Sequence, residues 1–136
     1  MQPLKTFIVE DSKVIRDSLI ATLEELVPVA VVGTADSEES AVQWLANLDN
    51  LLDLLVVDIF LKSGSGLGVL RAAQKLSGHR TVVVLSNYAT SDIRRKCLEL
   101  GADRVFDKSN EIDALISYCD ALARGAQASP ATDATR

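Results

Sequence analysis

The amino-acid sequence predicts a doubly wound α/β fold of five parallel strands, each followed by a helix, with strand order 2-1-3-4-5. Three observations carry that expectation. Five short runs rich in Val, Ile and Leu recur along the 136 residues. Their starts lie roughly 25 residues apart, which leaves room for one crossover helix in each gap. The stretches between them place apolar residues at helical spacing.

The elements follow in order. Run one is Lys5–Val9, and after it Ile15, Leu19, Leu23 and Leu26 form one stripe, with Lys13, Arg16, Asp17 and Glu24 elsewhere. Run two is Ala30–Thr34. The next helix starts after Ser37, with Glu38 and Glu39 in a first turn where negative charge suits the helix dipole. Ala41, Leu45 and Leu48 make its stripe. Run three, Leu54–Val57, leads to a helix over Leu67–Leu76, and run four, Thr81–Leu85, to one over Ser91–Leu100 that Gly101 ends. Run five, Arg104–Phe106, precedes a helix over Glu111–Arg124 that Gly125 ends in the same way. Runs one, three and four are almost uniformly apolar, as buried central strands are. Run five carries Arg104 and Asp107 and suits an edge. Residues 1–124 are expected to form a single domain. Residues 125–136, rich in Ala, Ser, Thr, Pro and Asp, are expected to be a disordered tail.

Composition narrows the function. Apolar residues make up 48%, enough to build a core and too many for a disordered chain. A net charge of −5 excludes a basic nucleic-acid footprint, so no direct DNA binding is expected. The apolar runs fall far short of the roughly 20 residues a membrane span needs. Met1-Gln2-Pro3-Leu4-Lys5 has no secretory pattern. Cys97 and Cys119 belong to no Cys-x-x-Cys pair, which argues against a disulfide framework or zinc site. A reducing, cytoplasmic setting is expected. The remaining singular residues read as structural: His79 in a surface loop, both cysteines and Trp44 as packing, Gly64 and Gly66 easing a turn.

In open α/β sheets, ligands bind beyond the carboxyl ends of the strands where the order reverses. There the chain supplies Glu10 and Asp11 after strand one, Asp58 after strand three, Ser86 at the end of strand four and Lys108 after strand five. Clustered carboxylates repel one another unless a cation neutralises them. Mg²⁺ takes hard oxygen ligands and keeps several waters, so one or two direct carboxylates suffice. An aspartate can attack phosphorus, and the phosphoryl oxygens then need cationic and hydroxyl donors. Each residue alone has a plainer reading as a cap, turn or surface charge. Asp11, for one, could begin the first helix as its cap. Their conjunction at four strand ends is what points to a phosphoryl site.

The set Phe7-Ile8-Val9-Glu10-Asp11, Val56-Val57-Asp58, Gly66 eight positions after Asp58, Leu85-Ser86, Gly101-Ala102 and Lys108 resembles the receiver domains of bacterial two-component response regulators. Their type example is the single-domain chemotaxis response regulator, with a flavodoxin-like fold. The match spans about residues 5 to 124. The resemblance implies that Asp58 is the phosphoacceptor and that Asp11, Glu10, Asp58 and the Phe60 backbone carbonyl serve Mg²⁺. It implies that Ser86 is a switch hydroxyl and that Lys108 binds a phosphoryl oxygen. The donor would be a phosphohistidine on a sensor histidine kinase or histidine phosphotransfer protein. No output domain is expected in the residues after Gly125. A separate downstream protein would therefore read the face of helix four, strand five and helix five (Ile93, Arg94, Arg95, Leu98, Val105, Ile112, Tyr118 and Asp120) in a monomer or weak homodimer.

The chain departs from the family pattern in places. Ser109 and Lys62 stand where proline is usual. Val105 occupies the position of the usual switch aromatic, while Phe106 should face the other side of its strand. Phe60 and Tyr88, two residues beyond Asp58 and Ser86, could restrict hydrolytic water and prolong a phosphorylated state. Two other readings stand beside the switch: a receiver-like interaction module that is never phosphorylated, and an aspartate-nucleophile phosphatase. The second acid of the phosphatase Asp-x-Asp pattern is missing from Asp58-Ile59-Phe60.

Overall fold

The computed structural model describes residues 2–47 and 49–125. The expected stripe position Leu48 and residues 126–136 of the expected tail lie outside them. The chain alternates β1 (Leu4–Val9), α1 (Lys13–Leu26), β2 (Val29–Ala35), α2 (Glu38–Ala46), β3 (Leu54–Val57), α3 (Gly66–Gln74), β4 (Thr81–Ser86), α4 (Ser91–Glu99), β5 (Arg104–Asp107) and α5 (Ile112–Ala123). All strand pairs are parallel and the sheet order is β2-β1-β3-β4-β5, as the sequence predicts. Strands β1, β2, β4 and β5 run a residue or so beyond their apolar runs, because ladder hydrogen bonds depend on the neighbouring backbone rather than on side-chain polarity.

Both faces of the sheet are covered. On one face Phe7, Val9, Leu55, Val57, Val82, Val84 and Val105 pack with α2, α3 and α4. On the other Ile8, Leu54, Val56, Val83, Leu85 and Phe106 pack with α1 and α5. Adjacent residues thus alternate between two cores, which is why β3 and β4 are apolar at nearly every position. Burying each such side chain stabilises the fold by about 1.5–3 kcal/mol. Val105 and Phe106 fall on opposite faces as expected, and Val105 lies buried beneath α4 rather than on the outer surface of that region.

Helix starts are set locally by hydroxyl caps. Ser12, Ser37, Ser65 and Thr90 each accept a bond from a backbone N–H of the first turn they precede. Ser12 caps α1, which leaves the Asp11 carboxylate free of that duty. Gly101 and Gly125 follow the ends of α4 and α5 with positive φ, as helix stops do. The α1 stripe is narrower than its spacing suggests. Leu19 and Leu23 are buried, whereas Ile15 and Leu26, one toward each end of the helix, are exposed. Trp44 stacks on Phe7 with ring centroids 4.0 Å apart, and both cysteines are buried, so all three pack as expected; His79 is exposed.

Candidate functional site

Strands β1 and β3 are adjacent, and Val9 pairs with Val57. That register places Glu10 and Asp58, the next residue on each strand, side by side at the carboxyl edge. The Asp58 N–H donates to the Val9 carbonyl at 3.0 Å, and the Glu10 N–H donates to Ala35 at 2.9 Å. Glu10 and Asp58 are buried, and Asp11 is half-buried beside them. One carboxylate oxygen from each of the three lies within 4.8 Å of the others.

Lys108 completes the cluster from β5. Its backbone N–H donates to Ser86 at 2.9 Å, which fixes the start of the β5–α5 loop. Its ammonium donates to Glu10 Oε1 at 2.6 Å and to Asp58 Oδ2 at 2.9 Å. One cation is thus shared by two buried carboxylates while a third stands alongside. Burial pushes the Glu10 carboxyl above its ordinary range, although the Lys108 ammonium and the Ser12 N–H pull against that. Asp11 moves the other way: slight burial would raise it, but the Lys62 N–H and further hydrogen bonds outweigh burial and lower it. Lys108 is held above the usual lysine range, because its bonds to Glu10 and Asp58 outweigh burial.

Asp58 Oδ1 accepts the Phe60 N–H at 3.1 Å, so both oxygens of this carboxylate are engaged by donors. Ser86 is fully buried at the end of β4, and its hydroxyl accepts the Tyr88 N–H at 3.1 Å. The Phe60 and Tyr88 rings meet edge to face with centroids 5.4 Å apart, and both are exposed. Every peptide bond among the described residues is trans. The Ser109 N–H donates to Asp107 Oδ1 at 2.7 Å, a bond proline could not make.

The structure therefore brings Glu10, Asp11, Asp58 and Lys108 together, with Phe60 and Ser86 on the adjoining loop and strand end. Sequence reasoning missed three partners. The Lys62 N–H donates to Asp11 Oδ2 at 2.7 Å. The usual proline there would lack that donor, so the departure was itself a signal. The Arg16 guanidinium caps the Glu10 carbonyl at 2.9 Å, with no sequence signal. Glu38 reaches α3, as described below. A groove of about 410 Å³ runs from Lys108 between α1 and α5 and is lined by Val14, Ile15, Leu19 and Ile112.

The family model of the response regulator receiver domain matches residues 6–120. The chain belongs to that family. Phosphorylation-based two-component signalling is the general role of receiver domains, which are phosphoacceptors rather than catalytic output domains. This receiver is 33% identical to the "Probable transcriptional regulatory protein SYNPCC7002_A0851" of Picosynechococcus sp. over 90% of its own length and 50% of the relative's. It is 26% identical to the transcriptional regulatory protein YdfI of Bacillus subtilis over 89% of its length and 55% of the relative's. The chain thus spans about half the length of these curated relatives. Its fold matches the response regulator domain of Thermotoga maritima CheB with a TM-score of 0.76 at 20% identity, covering 96% of this chain and 100% of the other. A Burkholderia pseudomallei response regulator whose structure holds a phosphorylated aspartic acid, a calcium ion and citrate matches with a TM-score of 0.74 at 23% identity, over 91% and 71% of the two chains. Among the described residues no helix is long and apolar enough to cross a membrane.

Proposed function

We propose that this receiver is a phosphorylation switch with Asp58 as the phosphoacceptor, working with Mg²⁺ and fed by a sensor histidine kinase or histidine phosphotransfer protein. The observation that carries the reading is the bridge from the Lys108 ammonium to both Glu10 and Asp58 within a three-carboxylate cluster. Hard oxygen donors of this kind suit Mg²⁺, and Glu10, Asp11, Asp58 and the Phe60 carbonyl would hold it. When bound, the ion supplies charge neutralisation at the phosphoryl oxygens.

An Asp58 oxygen attacks phosphorus of the donor phosphohistidine. The new O–P bond forms as the N–P bond breaks, and the departing imidazole takes a proton from solvent. Lys108, already bonded to Oδ2, follows negative charge onto the phosphoryl oxygens. Ser86 would leave its bond with the Tyr88 N–H to meet the phosphoryl group, moving the β4–α4 loop. That movement biases the α4–β5–α5 face for a downstream protein. The phosphorylated aspartate of the Burkholderia relative supports the reading. Residues 1–124 act as the signalling unit in the cytoplasm, as a monomer or weak homodimer.

Incubation with acetyl phosphate and Mg²⁺ is expected to add one labile phosphate, seen by intact mass, that Asp58→Asn cannot take up. Absence of the adduct would favour a receiver-like interaction module, and turnover of phosphate esters would favour a phosphatase.

The Phe60–Tyr88 pair has a kinetic role in this reading. Two touching rings beyond Asp58 and Ser86 restrict access of water to the acyl phosphate. Phe60→Asn and Tyr88→Ala are each expected to hydrolyse the phosphorylated form several-fold faster, on the order of 1 kcal/mol in barrier. Decay rates equal to the parent's would remove this role.

A further inference from the structure

The loop between Asp58 and Gly66 carries three groups used above: the Asp58 carboxylate, the Phe60 carbonyl and the Lys62 N–H. Its inner end is tied to the sheet and to itself, by Asp58 N–H to Val9 and by Gly66 N–H to Ile59 at 2.9 Å. Its outer turn, Ser63-Gly64-Ser65, projects toward α2 and is gripped there by one residue from another element. The Glu38 backbone N–H donates to the Ser63 carbonyl at 3.1 Å. Glu38 Oε1 accepts the Ser65 N–H at 2.8 Å, across 27 positions of sequence. A negative side chain at this place also meets the positive end of α3.

Two glycines make room for this grip. A Cβ at Gly64 would collide with the Glu38 side chain, coming within 2.8 Å of Oε1, and one at Gly68 would collide with the Glu38 carboxylate. Gly64 also has φ +84°, which suits glycine on its own account. Gly68 has no such reason. It lies inside α3 with negative φ, where glycine weakens a helix. The space it leaves is occupied by Glu38.

We infer that Glu38 is a positioning residue for the phosphoacceptor loop: by clamping Ser63 and Ser65 it holds the Lys62 N–H on Asp11 and thereby sets divalent-cation affinity. The inference rests on the proposed phosphoryl switch. The chain of force is short. Lys62 precedes Ser63 directly, and its N–H is the donor that orients Asp11 Oδ2. Loosening the turn lets that donor drift, and Asp11 loses its fixed orientation. Partners that orient metal ligands from behind are typically worth 10–100-fold in metal affinity.

The test uses Mn²⁺, which takes the same oxygen sites, followed by its EPR signal on the full chain. Glu38→Ala is expected to raise the Mn²⁺ dissociation constant about tenfold. Glu38→Gln keeps an Oε1 acceptor for Ser65 and recovers most of the affinity. Gly68→Ala separates positioning from stability. Alanine is the better helix former, which offsets the lost Ser65 contact, so the melting temperature falls less than in Glu38→Ala. Its new methyl displaces the carboxylate, so Mn²⁺ binding weakens as in Glu38→Ala. Parent-like Mn²⁺ affinity in either Glu38→Ala or Gly68→Ala overturns the inference. The switch reading fails separately, if the parent binds Mn²⁺ yet takes no phosphate from acetyl phosphate.

Discussion

Lys108 carries the electrostatics of the cluster. Its ammonium is nearly buried and bonds two carboxylates that are more buried still. Without it, Glu10 and Asp58 would be buried anions a few ångströms apart with no cation. Breaking a buried pair by removing one partner costs about 3–5 kcal/mol. Lys108→Met is therefore expected to lower the urea-unfolding free energy by about 3 kcal/mol at pH 7 in EDTA. Adding Glu10→Gln should restore much of the loss, because a neutral amide needs no counter-charge. A Lys108→Met protein as stable as its parent would contradict this account. The residues were legible in sequence as types at strand ends. Which carboxylates share the ammonium was not, because that depends on side-chain reach across β1, β3 and β5. The backbone donor of Lys62 shows the same limit: the sequence marks where proline is missing, and only folding supplies the acceptor 51 residues away.

At the scale of elements, α4 is tied to its surroundings by Arg94. Its guanidinium donates to the Ala89 carbonyl at 2.9 Å, to the Val105 carbonyl at 2.9 Å and to Glu111 Oε1 at 2.8 Å. Glu111 Oε1 also accepts the Asp107 N–H at 2.8 Å. One exposed ion pair thus links the β4–α4 loop, β5 and the start of α5, at the face proposed for output. Arg94 and the Asp107 N–H hold the Glu111 carboxyl below its ordinary value. A depressed carboxyl stabilises the fold above its unfolded-state pKa, and that contribution is lost as pH falls through the depressed value. Glu111→Gln is expected to flatten this part of the acid-unfolding curve while leaving stability near pH 7 changed only slightly, as exposed pairs contribute little. Thermal melts of both proteins from pH 7 down to pH 3 measure it; parallel curves would exclude the link. Helix starts and stops were largely legible, since Ser and Thr caps and the glycines Gly101 and Gly125 act within a few residues. The width of the α1 stripe was not. Whether Ile15 or Leu26 is covered depends on which other elements pack against each end of the helix.

For the whole molecule, parallel pairing and two-sided burial place the candidate site residues at one edge. The runs of β1, β3 and β4 announced central strands by apolar composition alone, because a strand covered on both faces has no polar side to show. The order 2-1-3-4-5 accommodates that pattern, and its reversal point draws attention to the strand ends that carry the candidates Glu10, Asp11, Asp58, Ser86 and Lys108. Local chemistry fixes these features: period, cap, turn and residue type are written within short windows of the chain. Tertiary structure alone decided the pairing of Lys108 with Glu10 and Asp58, the opposite shifts of the Glu10 and Asp11 carboxyls, and the grip of Glu38 on Ser63 and Ser65. Each of these is a distance between residues far apart in sequence. Burial and hydrogen bonding act through such distances, and they exist only after the sheet has formed.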